Sequence, residues 1–555
     1  MSSFDMTYYM VLTTTILFNY VYTETVQSCD SLIYCQGKLL ETVQSARIFS
    51  DSKSFVDMGQ RQCPEETLKN FKKFMAHHDD TPTSEDVAKF VKDNFIEGKE
   101  LVDWIPPDFV KNPSFLENIE DLKVRAFAQS LVSIWPDLAR KVDESVNKNQ
   151  DKHSLIYLPN GFMIPGGRFK EIYYWDTYWI IKGLLLSEMN ETVKGILDNF
   201  LSLVNRYGFV PNGSRVYYLN RSQPPLLSLM VSLYIDATED IDWLRKNIHT
   251  LEKELVWFLK HRTIIVNNHR MARYACQSGT PRPESYYEDI LTCQSIKNHQ
   301  KEQCYKNIKS AAESGWDFSS RWFFNGYNHS HSELSDTDTF RIIPVDLNSF
   351  LCKAFKEISR FFSLLKNKNK SQEWSDKADK LQMGIQKLLY SEEDGVWYDY
   401  DIKSGKHRKM FYPSNLTPLW TGDFNKTSET GKKVVQYLKE NQIDDFKGGI
   451  PTSLTQTGEQ WDLPNAWPPL QEIVILGLKN IEDPTASDMA KDLAARFVGS
   501  CMLGYEKSKV VYEKYDSTTP GTTGGGGEYN PQTGFGWTNG VLLSLIDTFY
   551  KLLKT

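Results

Sequence analysis

The chain is 555 residues long, 40% hydrophobic, 24% charged and 13% aromatic, with a net charge of −7. These are globular proportions, which exclude a disordered or fibrous chain, and the acidic balance argues against a dedicated nucleic-acid binder. Eight cysteines in so long a chain can staple loops but cannot replace a hydrophobic core.

The first element is a largely apolar stretch from Tyr8 to Tyr22, interrupted by Thr13, Thr14, Thr15 and Asn19. It is too short and mixed to span a bilayer, which takes about 20 apolar residues. It fits a secretory signal peptide cleaved after Thr23, although Asp5 stands where such a peptide usually carries Lys or Arg. Residues 1–23 are therefore expected to be a signal peptide and 24–555 a single domain of a soluble, secreted protein with no stable membrane anchor. Cys29 with Cys35, and Cys293 with Cys304, are close enough in sequence to close small loops, though spacing alone leaves the connectivity open. Five Asn-x-Ser/Thr sequons, at Asn190, Asn328, Asn369, Asn415 and Asn425, suit the same route.

From about Pro82 onward helical periodicity dominates. Residues 83–86 read as a capping box ahead of Val87, Phe90 and Val91. Val193, Ile196, Leu197, Phe200, Leu203 and Val204 share a helix face that stops at Gly208. Pro225 reads as a first-turn proline before Leu226, Leu229, Met230 and Leu233, and Thr238 as the cap of a helix carrying Trp243 through Leu259. Further helices are expected at 345–365, 372–390, 428–441, 470–479, 485–500 and 539–553. The clearest strand is 396–400, after the turn signal Asp394-Gly395. The whole reads as one all-α domain of paired helices. The loops between them are long and rich in Trp, Arg, Asp and Gly, as in a binding rim on a rigid scaffold.

Two loop segments are dense in functional residue types: PGGRFKEIYYWDTY at 165–178 and QWDLPNAWPPLQ at 460–471. With RSQ at 221–223, RPE at 282–284, GWD at 315–317, EKYD at 513–516, GGGGEY at 524–529 and GFGW at 534–537, they resemble the signature segments of trehalases, which split α,α-trehalose into two glucoses. The first segment keeps every fixed position of PGGRFxExYxWDxY. The second keeps QWDxPxxW but carries Ala466 and Pro468 where many members have Gly and Ala. The resemblance implies an (α/α)6 toroid with long functional loops on one rim, trehalose and water as substrates, and no cofactor or metal. It also implies an inverting mechanism with Asp317 as general acid and Glu513 as base. Substrate contacts are carried over to Arg168, Trp175, Asp176, Asn212, Arg221, Ser222, Gln223, Arg282, Pro283, Glu284, Gly315, Trp461, Asp462, Trp467 and Glu528.

The residues themselves suit that chemistry. Glycoside hydrolysis needs a protonated acid at the leaving oxygen and a second carboxylate on the opposite face. Asp317, between Trp316 and Phe318, sits in apolar company that favours its protonated form. Guanidinium forks suit sugar hydroxyls, and Trp175, Trp461 and Trp467 offer flat faces for sugar rings. Three arginines also suit a phosphorylated sugar, so trehalose phosphate is a rival substrate. The other rivals are another disaccharide hydrolase or a phosphorylase on the same barrel, and a non-catalytic sugar binder. The four-glycine run lacks the Lys-Ser/Thr of a phosphate loop and suits a mobile lid bearing Glu528 and Tyr529. His77-His78 and His329/His331 lack metal-site spacing. Asn212 and Asn220 also read as sequons, and a glycan on Asn212 would block the pocket, so Asn212 is expected to stay bare.

Overall fold

A computed structural model describes residues 29–324, 333–422 and 426–551. The expected signal peptide, His329, His331, Asn328 and Asn425 lie outside the described residues.

Twelve helices alternate between an outer and an inner ring among the described residues. In chain order they are α1 (Leu122–Val132), α2 (Asp176–Leu186), α3 (Asn190–Tyr207), α4 (Leu227–Thr238), α5 (Ile241–His261), α6 (Val345–Leu364), α7 (Lys368–Leu388), α8 (Thr417–Thr421), α9 (Ser428–Glu440), α10 (Pro468–Lys479), α11 (Pro484–Ser508) and α12 (Gly536–Phe549). Even-numbered helices pack α2–α4–α6–α8–α10–α12 and back to α2, closing a ring, while odd-numbered helices lie outside it. This is the (α/α)6 toroid. The sequence follows the layer. α2 buries eight of its residues, including Trp179, Ile180 and Ile181, because it has neighbours all round; α3 confines its apolar side chains to one stripe. α2 and α12 approach closely at Gly183 and Gly540, where a Cβ on Gly183 would come within 2.8 Å of Gly540 Cα.

The two sets of connections are unequal. Inner-to-outer turns are tight (187–189, 239–240, 365–367), whereas every outer-to-inner connection is long (133–175, 208–226, 262–344, 389–416, 441–467, 509–535). All six long connections precede the N-terminus of an inner helix, so they gather on one rim. Small two- and three-stranded sheets stiffen them.

Several local expectations shift. Asp240, not Thr238, caps α5, accepting from Trp243 N at 3.1 Å, while Thr238 ends α4. Pro225 lies two residues before α4 begins at Leu227. The expected strand at 396–400 divides into Val396–Trp397 and Tyr400–Asp401, because Asp399 turns inward to meet Arg321 and the N–H of Val345. α11 runs on to Ser508, eight residues past its expected end at 500. The capping box at Thr83 and Asp86 is formed, and Gly208 ends α3 at φ 87°. Both cysteine pairs, Cys29–Cys35 and Cys293–Cys304, are disulfides. No described helix is long and apolar enough to cross a membrane.

Residues 29–96 build a helical cap with its own core of Leu39, Leu40, Phe55, Phe71 and Phe90, which meets the toroid at Tyr173, Tyr217 and Tyr218, while Phe115, Leu116 and Ile119 join the toroid's core. A buried ionic cluster holds the two together. Lys53 pairs with Glu171 at 2.7 Å, and Arg215 reaches Glu171 at 3.0 Å, Asp57 at 3.2 Å and Glu100 at 2.9 Å.

Candidate active site

A cavity of about 630 Å³ opens on the long-loop rim. Its floor is set by helix starts: Trp175, Trp467 and Phe535 are the residues just before α2, α10 and α12. Of the residues singled out from sequence, Arg168, Trp175, Asp176, Asn212, Arg221, Gln223, Arg282, Glu284, Gly315, Asp317, Trp461, Trp467, Glu513 and Glu528 line it. Five of the six long connections contribute.

Asp317 follows the helix Lys301–Glu313, whose end is fastened by a buried bidentate pair between Glu313 and Arg262, 2.6 Å at each contact. The chain then turns through Gly315 at φ 80°, where a Cβ would lie 2.6 Å from the Trp175 ring. Only glycine offers both the left-handed backbone and that approach. Beyond it, Gln460 Nε2 donates to the Asp317 carbonyl and Trp461 N donates to Phe318 O at 3.0 Å, tying the acid's loop to the 460–467 loop. Burial pushes the Asp317 carboxyl up to about 7, against the opposing pull of Arg282.

Glu513 is treated differently. Its carboxylate accepts from Tyr529 Oη at 2.8 Å and from Gln532 N at 2.9 Å, and Trp537 Nε1 holds its carbonyl at 2.9 Å. Burial raises its pKa, while Lys514, those two donors and Arg168 favour the ion. Asp176, at the start of α2, is raised well above the usual carboxylate range by burial and by the charges of Glu513 and Asp317. Of the carboxylates in the cavity, Asp317, Asp176 and Glu513 are thus all raised by burial, and Glu513 is the one of these three whose carboxylate accepts hydrogen bonds from other described residues.

Each of the three arginines is already paired. Arg168 grips Asp51 with two bonds of 2.7 and 2.6 Å. Arg221 meets Glu284 at 2.6 Å and Asn212 Oδ1 at 3.0 Å. Arg282 chelates Asp289 and reaches Glu528 at 2.7 Å. Arg221 Nη1 and Glu284 Oε2 are buried with no protein partner among the described residues, leaving one donor and one acceptor for a ligand hydroxyl. Seven carboxylates line the cavity against four cations, and with Asp176 and Asp317 kept toward the neutral form the other five still outnumber the cations, which favours a neutral ligand over a phosphate.

Four expectations need correction. Asp462 does not line the cavity. It is fully buried and accepts from Ser319, Ser320, Ser453 and Thr457, so it staples loops together. Ser222 is buried with its hydroxyl on Val210 O and its N–H on Glu313, in the wall behind Arg221. Pro283 is likewise set back, its carbonyl accepting from Gln44. Trp461 lines the cavity but has no free face, since Trp467 stacks on it at 4.0 Å and 4° and Trp316 at 5.4 Å and 22°. Among the sequons, Asn415 is 1% exposed and donates to Met410 O and Tyr437 Oη, which leaves no room for a glycan. Asn212 is buried as well, whereas Asn190 and Asn369 are exposed.

Asp51 and Lys53, which also line the cavity, were not singled out from sequence. They come from the cap, more than 100 residues before the first motif, and no local pattern marks them. The one available clue is that Arg168, entering a sugar pocket, requires a counter-charge.

A family model described as trehalase matches residues 47–550. A trehalase from Tenebrio molitor is 49% identical over 94% of this chain and 96% of its own length. A trehalase from Homo sapiens is 44% identical over 94% of this chain and 90% of its own. Among solved structures, the neutral trehalase Nth1 from Saccharomyces cerevisiae aligns over 70% of this chain and 73% of its own, with a TM-score of 0.56 and 22% identity; that likeness bears on the fold.

Proposed function

This chain belongs to the trehalase family, and we propose that it hydrolyses α,α-trehalose to two glucose molecules with Asp317 as general acid and Glu513 as general base. The observation that carries the assignment of roles is the contrast between two buried carboxylates in one cavity. Asp317 is held near neutrality by burial, and Glu513 is given two hydrogen-bond donors and a neighbouring ammonium.

In a single displacement, Glu513 takes a proton from water as the water oxygen bonds to one anomeric carbon. The C–O bond to the bridging oxygen breaks, and Asp317 delivers its proton to that oxygen, releasing the second glucose. Configuration at the attacked carbon inverts. Arg221, Glu284, Arg282 and Glu528 hold the hydroxyls, with the unpartnered Arg221 Nη1 and Glu284 Oε2 as the first contacts. Asp176 adds a carboxyl, its pKa raised well above the usual range by burial, beside both catalytic groups. The cap belongs to the same catalytic unit, because Asp51 and Lys53 complete the cavity wall.

The chain is read as a secreted glycoprotein. Two disulfides suit an oxidising compartment, and Asn190 and Asn369 stand exposed as sequons. Glucose release from trehalose, maltose, sucrose and trehalose phosphate tests the substrate. Trehalose alone should be turned over rapidly; a preference for trehalose phosphate would contradict the charge argument.

A further inference from the structure

The ammonium that neighbours the base stands outside the cavity, and the mechanism above gives it no contact with the sugar. Lys514 is 0% exposed and does not line the cavity. Its Nζ donates to Gln460 Oε1 at 3.2 Å and to Gly526 O at 3.4 Å, and lies 5.0 Å from the centre of the Trp467 ring. Its carbonyl accepts from Gly524 N at 3.1 Å. Gln460 in turn donates its Nε2 to the carbonyl of Asp317. One side chain therefore joins the loop of the base, the 460–467 loop that fixes the acid, and the four-glycine segment.

An ammonium is costly to bury and is retained where its charge or its donors serve a purpose. A purely structural tie between Gln460 and a carbonyl needs no charge, since a neutral amide would serve. The charged groups that act on Lys514 are all acidic: Glu513, next to it in the chain, Asp317 and Glu459. Those that face Glu513 are Lys514, Tyr529, Arg168 and Asp176.

We propose that Lys514 is a positioning residue for both catalytic carboxylates, its charge holding Glu513 in the ionised form and its bond to Gln460 setting the backbone of Asp317. This rests on the assignment of Asp317 and Glu513 above. Burial lowers the ammonium itself to about 8, so the charge is present throughout the acidic and neutral range where Glu513 must act as a base. With the charge removed, Glu513 loses the largest influence opposing its burial, and its pKa rises.

The test is the pH dependence of kcat/KM for trehalose hydrolysis from pH 4 to 9, with wild type, Lys514→Met and Lys514→Arg. In Lys514→Met the acid limb should move up by about one pH unit or more, as expected for losing a unit charge close to a buried carboxylate, and Lys514→Arg should restore it. A folded Lys514→Met whose acid limb stays within 0.2 unit, a threshold set at about the precision of such profiles, overturns the proposal. So does a folded Lys514→Met inactive at every pH, which would make the ammonium indispensable to the chemistry itself. Should Lys514→Met fail to fold, Gln460→Met decides. That variant removes the link to Asp317, so kcat should fall about tenfold or more with KM little changed; an unchanged kcat overturns the proposal. Failure of the underlying reading is separate, because it would appear as substantial turnover by Glu513→Gln.

Discussion

Replacing Asp51 by Asn probes a contact between the cap and the toroid that no motif reveals. Asp51 accepts two bonds from Arg168, at 2.7 and 2.6 Å. Hydrogen bonds to charged groups contribute about 1.5–3 kcal/mol each when well sheltered. Here the side chains are 20% and 34% exposed, so solvent screening reduces the pair to about 1–2 kcal/mol. Arg168 also lies over the Tyr529 ring at 4.8 Å, and Tyr529 donates to Glu513, so a loosened guanidinium disturbs both the cavity wall and the base. The expected loss in kcat/KM is about 5–30-fold, from steady-state trehalose kinetics. Arg168→Met should lose at least as much, and the double variant no more than Arg168→Met alone, since both remove one interaction. Asp51→Asn within twofold of wild type, or losses that add in the double variant, would refute the reasoning.

Other outcomes follow from the same geometry. Asp317→Asn and Glu513→Gln should each lower kcat by about 10³-fold or more while the far-UV circular dichroism spectrum stays unchanged. The alkaline limb of wild-type kcat/KM should fall as pH rises through about 7, where Asp317 gives up the proton it must donate. Because that carboxyl is raised from 3.8 in the unfolded chain to about 7 in the folded one, it contributes stability below pH 4 that is lost as pH rises to 7. Asp317→Asn should therefore match wild type in thermal unfolding near pH 4 and exceed it at pH 8, by at most about 4 kcal/mol; equal stability at pH 8 would show that burial does not burden the ionised form. Glycopeptide mass spectrometry of secreted material should find Asn190 and Asn369 modified and Asn212 and Asn415 bare. Full occupancy at Asn212 would remove it from the cavity wall.

The helices and the main cavity residues were legible because their signals are local. An amphipathic stripe such as that of α3 declares a helix from its own residues, and the 165–178 segment holds its charged and aromatic groups within one loop. Cap positions were less legible, because Asp240 and Thr238 are both good cap residues two positions apart and only tertiary packing chooses between them. The roles of Asp462 and Trp461 went astray for a different reason. A motif shows that residues belong to a site but not which side chains face the ligand, and these two hold the loops behind it. The Asp51–Arg168 and Lys53–Glu171 pairs are contacts across more than 100 residues, which no window of sequence contains.

Hydrolysis is proposed to be a single displacement by water between Asp317 and Glu513. Proton NMR recorded within the first seconds of trehalose hydrolysis, before mutarotation, tests it most directly. One α-glucose and one β-glucose per trehalose are expected, whereas two α-glucoses would contradict inversion and the roles assigned to both carboxylates.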